Sequence, residues 1–139
     1  MQGTLESNIN FGAAVVAAFN HLGLDAAAVG NHELDWGVDT LLTRQQEANY
    51  PWLAANVFQV SDGSRPTWAK PFTIVERGEI KIGVVGYAAV NTPQTLRPGI
   101  TEPYEFRSGY AGIRNALDEL WSEQPDFVVL VAHAGGQCV

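Results

Sequence analysis

The stretch Ala26-Ala27-Ala28-Val29-Gly30-Asn31-His32-Glu33-Leu34-Asp35 passes from an apolar strand directly into a polar turn. Open α/β folds bind their ligands in the crevice beyond the carboxyl ends of parallel strands. A second apolar segment, Phe127 to Ala132, ends in the same manner on His133. We therefore expect these two strands to lie side by side and to aim Asn31 and His133 at one shared point.

The composition is that of a globular protein. At 139 residues the chain has the size of one domain, residues 1–139, with 46% hydrophobic and 17% charged residues. Its net charge of -7 offers no general attraction to a nucleic acid polymer or an anionic lipid surface. No apolar run reaches the roughly 18 residues of a membrane span, and no signal-peptide pattern opens the chain. The lone Cys138 excludes an internal disulfide.

Hydrophobic periodicity predicts helices that alternate with strands, which is typical of an α/β fold with a parallel sheet. The predicted helices are 11–22, 38–48 and about 110–121, and the predicted strands are 24–29, 52–57, 72–76, 80–85 and 127–132. Residues 1–10 are expected to form a loop and residues 89–108, with three prolines, an irregular excursion. Asn10 and Gly23 are the expected caps of the first helix. Its apolar stripe, expected to face the core, is Phe11, Val15, Val16, Phe19 and Leu22.

Four side chains at the two strand ends can carry chemistry. Asn31 supplies an amide oxygen and His133 an imidazole nitrogen, and both suit a divalent ion such as Mn, Zn, Fe or Co. His32 can stabilise charge on a transferring group or protonate a leaving oxygen. Asp35 can hold that imidazole in one tautomer. Under this interpretation Asn31 and His133 bind metal, whereas His32 and Asp35 are catalytic.

Each of these residues also has a purely structural interpretation. Gly30-Asn31 is a common turn pair, Asp35 can cap the next helix, and His133 can be a half-buried histidine with satisfied hydrogen bonds. Glu33 is expected to face solvent or to support the site from outside, and His21 to be an exposed helix residue. The residues alone therefore predict a metal or polar site without naming a reaction.

The string from Asp25 to Gly37, with Gly30-Asn31-His32-Glu33 at its centre, closely resembles the GNHE motif of the calcineurin-like metallophosphoesterases. Within that superfamily it is similar to the 5′-nucleotidase branch, which includes UDP-sugar hydrolases and 2′,3′-cyclic-nucleotide phosphodiesterases. Three further segments resemble that branch: Gln2-Gly3-Thr4 with Ser7-Asn8, Pro51 to Val57, and Val129 to Gly136. The resemblance thus runs along nearly the whole chain.

The resemblance implies part of a metallophosphoesterase α/β sandwich, which has four αββα layers in the complete family domain. It also implies hydrolysis of a nucleotide or nucleotide-like phosphoester with two divalent metal ions. By matching position, Asn31 and His133 are ligands of one ion, His32 is the catalytic histidine and Asp35 is its carboxylate partner. Relatives of this kind place the protein in the periplasm or outside the cell.

Several motifs of the resembled family are absent from the sequence. The opening D-x-H motif and the bridging Asp would lie before Met1, the G-H-x-H pair after Val139, and the C-terminal substrate-binding domain is missing. The chain would then supply ligands for at most one ion. Because three protein ligands are usual even for a single catalytic zinc, we expect little or no activity from the chain alone.

Two other interpretations stay open. The chain can be a non-catalytic α/β module that binds a nucleotide or a partner chain after losing the metal site. It can also belong to a relative with a different specificity, such as the thiosulfohydrolase-like members of the branch. No substrate-binding residues are assigned from the sequence.

Overall fold

The computed structural model describes residues 5–135. The helices in that range are α1 (Leu5–Asn8), α2 (Ala13–Leu22), α3 (Asn31–Leu34), α4 (Val38–Glu47), α5 (Thr92–Thr95) and α6 (Gly109–Ser122). The strands are β1 (Ala27–Ala28), β2 (Trp52–Leu53), β3 (Val57–Gln59), β4 (Phe72–Arg77), β5 (Ile80–Ala88), β6 (Tyr104–Phe106) and β7 (Phe127–His133). This mixture of helices and strands confirms the predicted α/β class.

The described strands form three small sheets. One pairs β1 with β2 in parallel, and a second pairs β3 with β6 antiparallel. In the third, β5 lies between β4 and β7, antiparallel to β4 and parallel to β7. The short segment Arg77-Gly78-Glu79 between two apolar runs predicts a hairpin of β4 and β5, and the almost wholly apolar second run predicts a central strand. Both predictions are confirmed. The register pairs Ala88 with His133, so β5 and β7 end at the same edge of the sheet.

Strand β5 lies between a helix and a second sheet, and two glycines permit both approaches. A Cβ atom on Gly83 would lie 2.6 Å from the side chain of Leu120 on α6. A Cβ atom on Gly86 would lie 2.2 Å from Leu53 of β2. Because side chains alternate along a strand, positions 83 and 86 point to opposite faces. The layers therefore follow in the order α6, three-stranded sheet, β1–β2 sheet.

Two apolar clusters form the core of the described residues. The first joins α2, α4 and the β1–β2 sheet and contains Val16, Val29, Leu34, Leu41, Tyr50, Trp52, Ala54, Val57, Trp68, Ala69 and Ala88. The second lies between α6 and the three-stranded sheet and contains Ala55, Val85, Ala116 and Leu120. Leu41 is buried as the pattern of α4 predicts, with Val38 and Leu42 packed beside it.

Strand β7 is apolar in sequence but largely exposed in the structure. It is the edge strand of its sheet, and Phe127, Leu130 and Val129 are 61%, 52% and 45% exposed. Apolar composition alone does not distinguish an edge strand from a central one, because which strand pairs on each side depends on the tertiary fold. No charged residue or proline interrupts this edge.

The first long helix begins two residues later than predicted. Asn10, Phe11 and Gly12 all have positive φ angles of 60°, 51° and 84°, so Gly12 rather than Asn10 occupies the N-cap position of α2. Of its expected inward stripe only Val16 is buried, and Phe11 and Leu22 are 57% and 74% exposed. Gly23 ends the helix with a φ angle of 69°, as predicted.

Two predicted strands differ in length. Only Ala27–Ala28 of the Ala-rich segment 24–29 pairs as β1, although the Val29 N–H still donates to the Leu53 carbonyl. The segment 52–57 ends its pairing with β1 at Leu53 because the Ala55 N–H donates instead to Gly86 of β5. The chain thereby passes from the β1–β2 sheet to the β3–β6 sheet. The segment predicted as one continuous strand is therefore divided into β2 and β3.

Three segments predicted as irregular contain helices or strands. Leu5–Asn8 of the expected N-terminal loop is α1, and the excursion 89–108 contains α5 and β6. The loop after β1 is the short helix α3. Gln2-Gly3-Thr4, Gly136 and Cys138 lie outside the described residues. Among residues 5–135, no helix is both long and apolar enough to span a membrane.

Candidate functional site

The centre of the site is the single helical turn α3, which follows β1. Gly30 is extended, with φ -116° and ψ -173°, and precedes the first helical residue, Asn31. The Glu33 carboxylate accepts the Gly30 N–H at 2.7 Å, which satisfies a backbone donor that the start of a helix leaves free. The turn therefore holds Asn31 and His32 in a defined position directly beyond the strand.

Asn31 and His133 meet at this point. Nε2 of His133 lies 3.0 Å from Oδ1 of Asn31, across 102 residues of sequence. The convergence of the two side chains is thus present as expected from the sequence. Their strands, however, are not neighbours in one sheet, because β1 pairs with β2 and β7 pairs with β5. The two side chains meet across the stacked sheets instead.

Gly30 makes this meeting possible. A Cβ atom at position 30 would lie 2.4 Å from Nδ1 and 2.5 Å from Cγ of His133, inside any real van der Waals contact. The φ angle of Gly30 is one that other residues adopt readily, so the requirement for glycine is steric rather than conformational. The flat imidazole of His133 occupies the space that a side chain at position 30 would take.

His32 and Asp35 form a second pair on the same turn. Nδ1 of His32 lies 2.7 Å from Oδ2 of Asp35, and the side chains are 46% and 16% exposed. Asp35 does not cap the following helix, because Gly37 holds the N-cap position of α4. The carboxylate is therefore placed to receive Nδ1–H and to leave the other ring nitrogen, Nε2, for a ligand.

The donor set fits a divalent ion in part. Metal–ligand distances of about 2.0–2.2 Å place two ligand atoms of one ion about 3 Å apart, which is the separation of the Asn31 and His133 atoms. Oxygen and imidazole donors suit Mn, Zn, Fe and Co. Within residues 5–135 no group of three or more His, Cys, Asp or Glu side chains could hold a metal ion. The described residues thus offer two ligands.

A small cavity adjoins the other side of the site. It has a volume of about 120 Å³ and touches both Glu33 and His133, together with Tyr50 and Trp52. Burial, assisted by the negative charge of Glu33, raises the pKa of the Tyr50 hydroxyl above its ordinary value of 10.0. The Tyr50 and Trp52 rings stack with 6.1 Å between centroids. The site therefore rests on an apolar, aromatic base.

Two polar residues of this region are buried. Of the two roles expected for Glu33, facing solvent or supporting the site from outside, the structure has the second, because Glu33 is 9% exposed and accepts the Gly30 N–H. The Gly-x-x-Glu spacing carried that signal. The second is Asn56, a fully buried amide after β2, for which the sequence offers no local pattern.

Comparison with known proteins begins with the fold. The calcineurin-like phosphoesterase YfkN from Bacillus subtilis superposes with a TM-score of 0.83 at 20% sequence identity, over 98% of this chain and 46% of that one. The fold is therefore that of the calcineurin-like phosphoesterases. No family model matches the sequence.

Relatives with higher sequence identity to the chain belong to a narrower group of proteins. The 5′-nucleotidase precursor from Thermus thermophilus superposes with a TM-score of 0.84 at 27% identity, covering 97% of this chain and 26% of that one. The UshA protein of Salmonella pullorum is 34% identical over 134 residues, which are 96% of this chain and 24% of that protein. The chain is a homologue of the UshA and 5′-nucleotidase proteins and spans about a quarter of their length.

Proposed function

We propose that this chain forms part of the catalytic centre of a metal-dependent phosphoester hydrolase that acts on nucleotides. The observation that carries the proposal is the 3.0 Å separation of Asn31 Oδ1 and His133 Nε2, with the His32–Asp35 pair on the same turn. Two metal-binding atoms beside an exposed imidazole are the parts that phosphoryl transfer uses. The names of the relatives, 5′-nucleotidase among them, support nucleotides as the substrate class.

Asn31 and His133 would hold one ion of a two-metal centre, whose other ligands come from outside residues 5–135. A bound divalent ion polarises the phosphoryl group of the substrate. Two protein ligands rarely retain a catalytic ion, so we expect this chain alone to bind metal weakly and to have little or no activity. The chain would accordingly be one part, residues 1–139, of a larger phosphoesterase domain.

His32 has the chemical role on the substrate. When His32 is protonated and donates Nδ1–H to Asp35, its Nε2–H faces the substrate. His32 can then transfer that proton to the leaving oxygen of the phosphoester. Asp35 stabilises the imidazolium and prevents the ring from turning. The 46% exposure of His32 leaves this nitrogen open to a substrate from the solvent side. A water molecule would form the new P–O bond as the P–O bond to the leaving oxygen breaks, so the products would be a phosphate group and the alcohol from which it was cleaved.

Partners and location follow from the same proposal. The partner is a nucleotide or a similar phosphoester, with no nucleic acid polymer, because the net charge of -7 disfavours long phosphate backbones. The resemblance to 5′-nucleotidases supports a location in the periplasm or outside the cell. A non-catalytic module that binds nucleotides without metal is the competing proposal.

A metal titration separates these possibilities. Zn²⁺ or Mn²⁺ is added to the wild-type chain and to His133→Ala, with His21→Ala on the exposed part of α2 as the matched control. We expect weak binding by the wild type and the His21 variant and none by the His133 variant. A chromogenic phosphodiester should be turned over slowly or not at all. Rapid turnover would show that the metal ligands are wrongly assigned. Nucleotide binding whose affinity does not change when metal is added would favour the non-catalytic module.

A further inference from the structure

Asn56 is a fully buried amide between β2 and β3. Its exposure is 0%, the lowest among the buried polar residues of the described chain. An amide buried without hydrogen bonds is costly, so such a side chain stays in a core only where its partners are fixed. The identity of those partners indicates what Asn56 does.

The side chain of Asn56 joins two distant points of the backbone. Its Oδ1 accepts the Ala88 N–H at 2.8 Å, and its Nδ2 donates to the Ala88 carbonyl at 2.8 Å. The second Nδ2 proton goes to the Arg107 carbonyl at 2.9 Å. The Arg107 N–H returns a bond to the Asn56 carbonyl at 2.9 Å. Both amide hydrogens and the amide oxygen are therefore in use.

Asparagine is the residue that these partners require. Nδ2 must point at two carbonyl oxygens and Oδ1 at an N–H, so the orientation of the amide is determined by its surroundings. An aspartate has the same shape but no hydrogen to donate, and it would leave the Ala88 and Arg107 carbonyls facing a carboxylate. Asn56→Asp therefore keeps the shape of the side chain but replaces its hydrogen-bond donor with an acceptor.

Ala88 connects Asn56 to the site. It is the last residue of β5 and the register partner of His133, the last residue of β7. Because both backbone groups of Ala88 bond to Asn56, they point away from β7, and Asn56 takes the place of a neighbouring strand on that side. The end of β5 is thereby held between Asn56 and His133.

Asn56 also joins the two ends of the excursion between β5 and α6. Ala88 and Arg107 flank the segment 89–106, and one amide group bonds to both. Part of that segment, including Arg97 and Ile100, borders a cavity of about 510 Å³ that Asp35 also lines. The excursion thus reaches the His32–Asp35 side of the site, while Asn56 joins its two ends, one of which is Ala88, the register partner of His133.

We propose that Asn56 is a positioning residue: through the Ala88 backbone it holds His133 against Gly30 and Asn31. The consequence for metal binding rests on the function proposed above, whereas the placement of His133 does not. The side-chain hydrogen bonds of Asn56 go to Ala88 and Arg107, and none of them goes to Asn31, His32 or Asp35. Its effect passes through the end of β5.

Nuclear magnetic resonance on the wild-type chain, Asn56→Asp and the control Leu120→Ala tests this role. Leu120 is also 0% exposed, but it packs against Gly83, away from the strand ends. In the wild type we expect slowly exchanging Asn56 side-chain protons and a nuclear Overhauser effect between the Gly30 Hα and the His133 ring. Asn56→Asp should lose that effect while still folded, and Leu120→Ala should lose stability and keep it.

Zn²⁺ affinity supplies the second measurement. We expect Asn56→Asp to weaken Zn²⁺ binding about tenfold relative to Leu120→Ala, which is the usual cost of removing support behind a metal ligand. If the His133 contact survives in Asn56→Asp, or if the Asn56 protons exchange freely in the wild type, the positioning role is wrong. If the wild type binds no Zn²⁺ but the His133 contact depends on Asn56, the proposed function fails and the positioning role stands.

Discussion

His133 and Asn31 place Nε2 and Oδ1 3.0 Å apart, and the ring of His133 lies over the Cα atom of Gly30. The arrangement depends on two supports. The α3 turn, tied by Glu33 to the Gly30 N–H, holds Asn31, and the paired ends of β5 and β7 hold His133. The site is therefore assembled from two sheets, and it is sensitive to any group that enters the space between them.

Gly30→Ala should separate His133 from Asn31. The added methyl group would lie 2.4 Å from the His133 ring, so the ring must turn away. We expect loss of the contact between Gly30 and His133 in nuclear magnetic resonance spectra, and about tenfold weaker Zn²⁺ binding. Gly135→Ala is the control, since a Cβ atom there meets nothing within 4 Å. Equal affinity of the two variants would contradict the steric role of Gly30.

Asp35→Ala should change the tautomer of His32. In the wild type the carboxylate at 2.7 Å favours the proton on Nδ1, and without it the proton should move toward Nε2, as in a free histidine side chain. Nitrogen-15 shifts of the His32 ring report this directly. Asp39→Ala, an exposed carboxylate in the first turn of α4, is the control and should leave the tautomer unchanged. A wild-type ring with its proton on Nε2 would exclude the proposed orientation.

Gly86→Ala and Gly83→Ala should differ in stability although both add a methyl group to β5. The Cβ atom at position 86 meets the Leu53 backbone at 2.3 Å, whereas the three atoms nearest to the one at position 83 all belong to the flexible Leu120 side chain. We expect a loss of about 3 kcal/mol in the free energy of unfolding at position 86 and about 1 kcal/mol at position 83. Urea unfolding measures both losses, and the opposite order would contradict a layer order of α6, three-stranded sheet and β1–β2 sheet.

Alkaline pH should destabilise the protein through Tyr50. Burial, together with the charge of Glu33, raises its folded pKa above 10.0, so the unfolded chain releases the proton first as the pH rises. The folded state then binds more protons than the unfolded state, and stability falls with pH above 10.0. Denaturant unfolding along a pH series should show this decline, and Tyr50→Phe should reduce it. An identical decline in the variant would assign the effect to another group.

Val129→Lys should lower the tendency of the chain to aggregate. Val129 is 45% exposed on the edge strand β7, which pairs only with β5 among the described strands, and a charge on such an edge opposes pairing with another chain. The neighbouring Val128 packs against the second core cluster, so Val128→Lys should instead cost about 2 kcal/mol of unfolding free energy. Light scattering and thermal unfolding distinguish the two outcomes. Increased scattering of Val129→Lys would contradict the exposure of this face.

Much of the arrangement was predictable because it depends on local pattern. The helical spacing of apolar residues in α4, the hairpin around Gly78 and the left-handed cap at Gly23 each depend on a few neighbouring residues, and all are confirmed. The pair His32–Asp35 is local in the same way, because residues three positions apart lie on the same side of a helical turn and their side chains meet. Such features are determined by backbone geometry over a short stretch.

Other features depend on which parts of the chain become neighbours. The apolar sequence of β7 is compatible with a central strand or an edge strand. Its edge position is decided by the tertiary structure, in which β7 pairs with β5 and with no second described strand. The left-handed run at Asn10 and Phe11 carries no glycine signal, so the late start of α2 was hidden. The role of Asn56 was equally hidden, because its partners lie 32 and 51 residues away.

The sequence by itself therefore determined the α/β class, the two strand ends and the identity of the four polar side chains placed there. Only the tertiary structure decided that Asn31 and His133 meet across two stacked sheets rather than between adjacent strands of one sheet. The physical reason is range: periodicity and capping act within a turn or a strand pair, whereas the meeting of two loops depends on the packing of every layer between them.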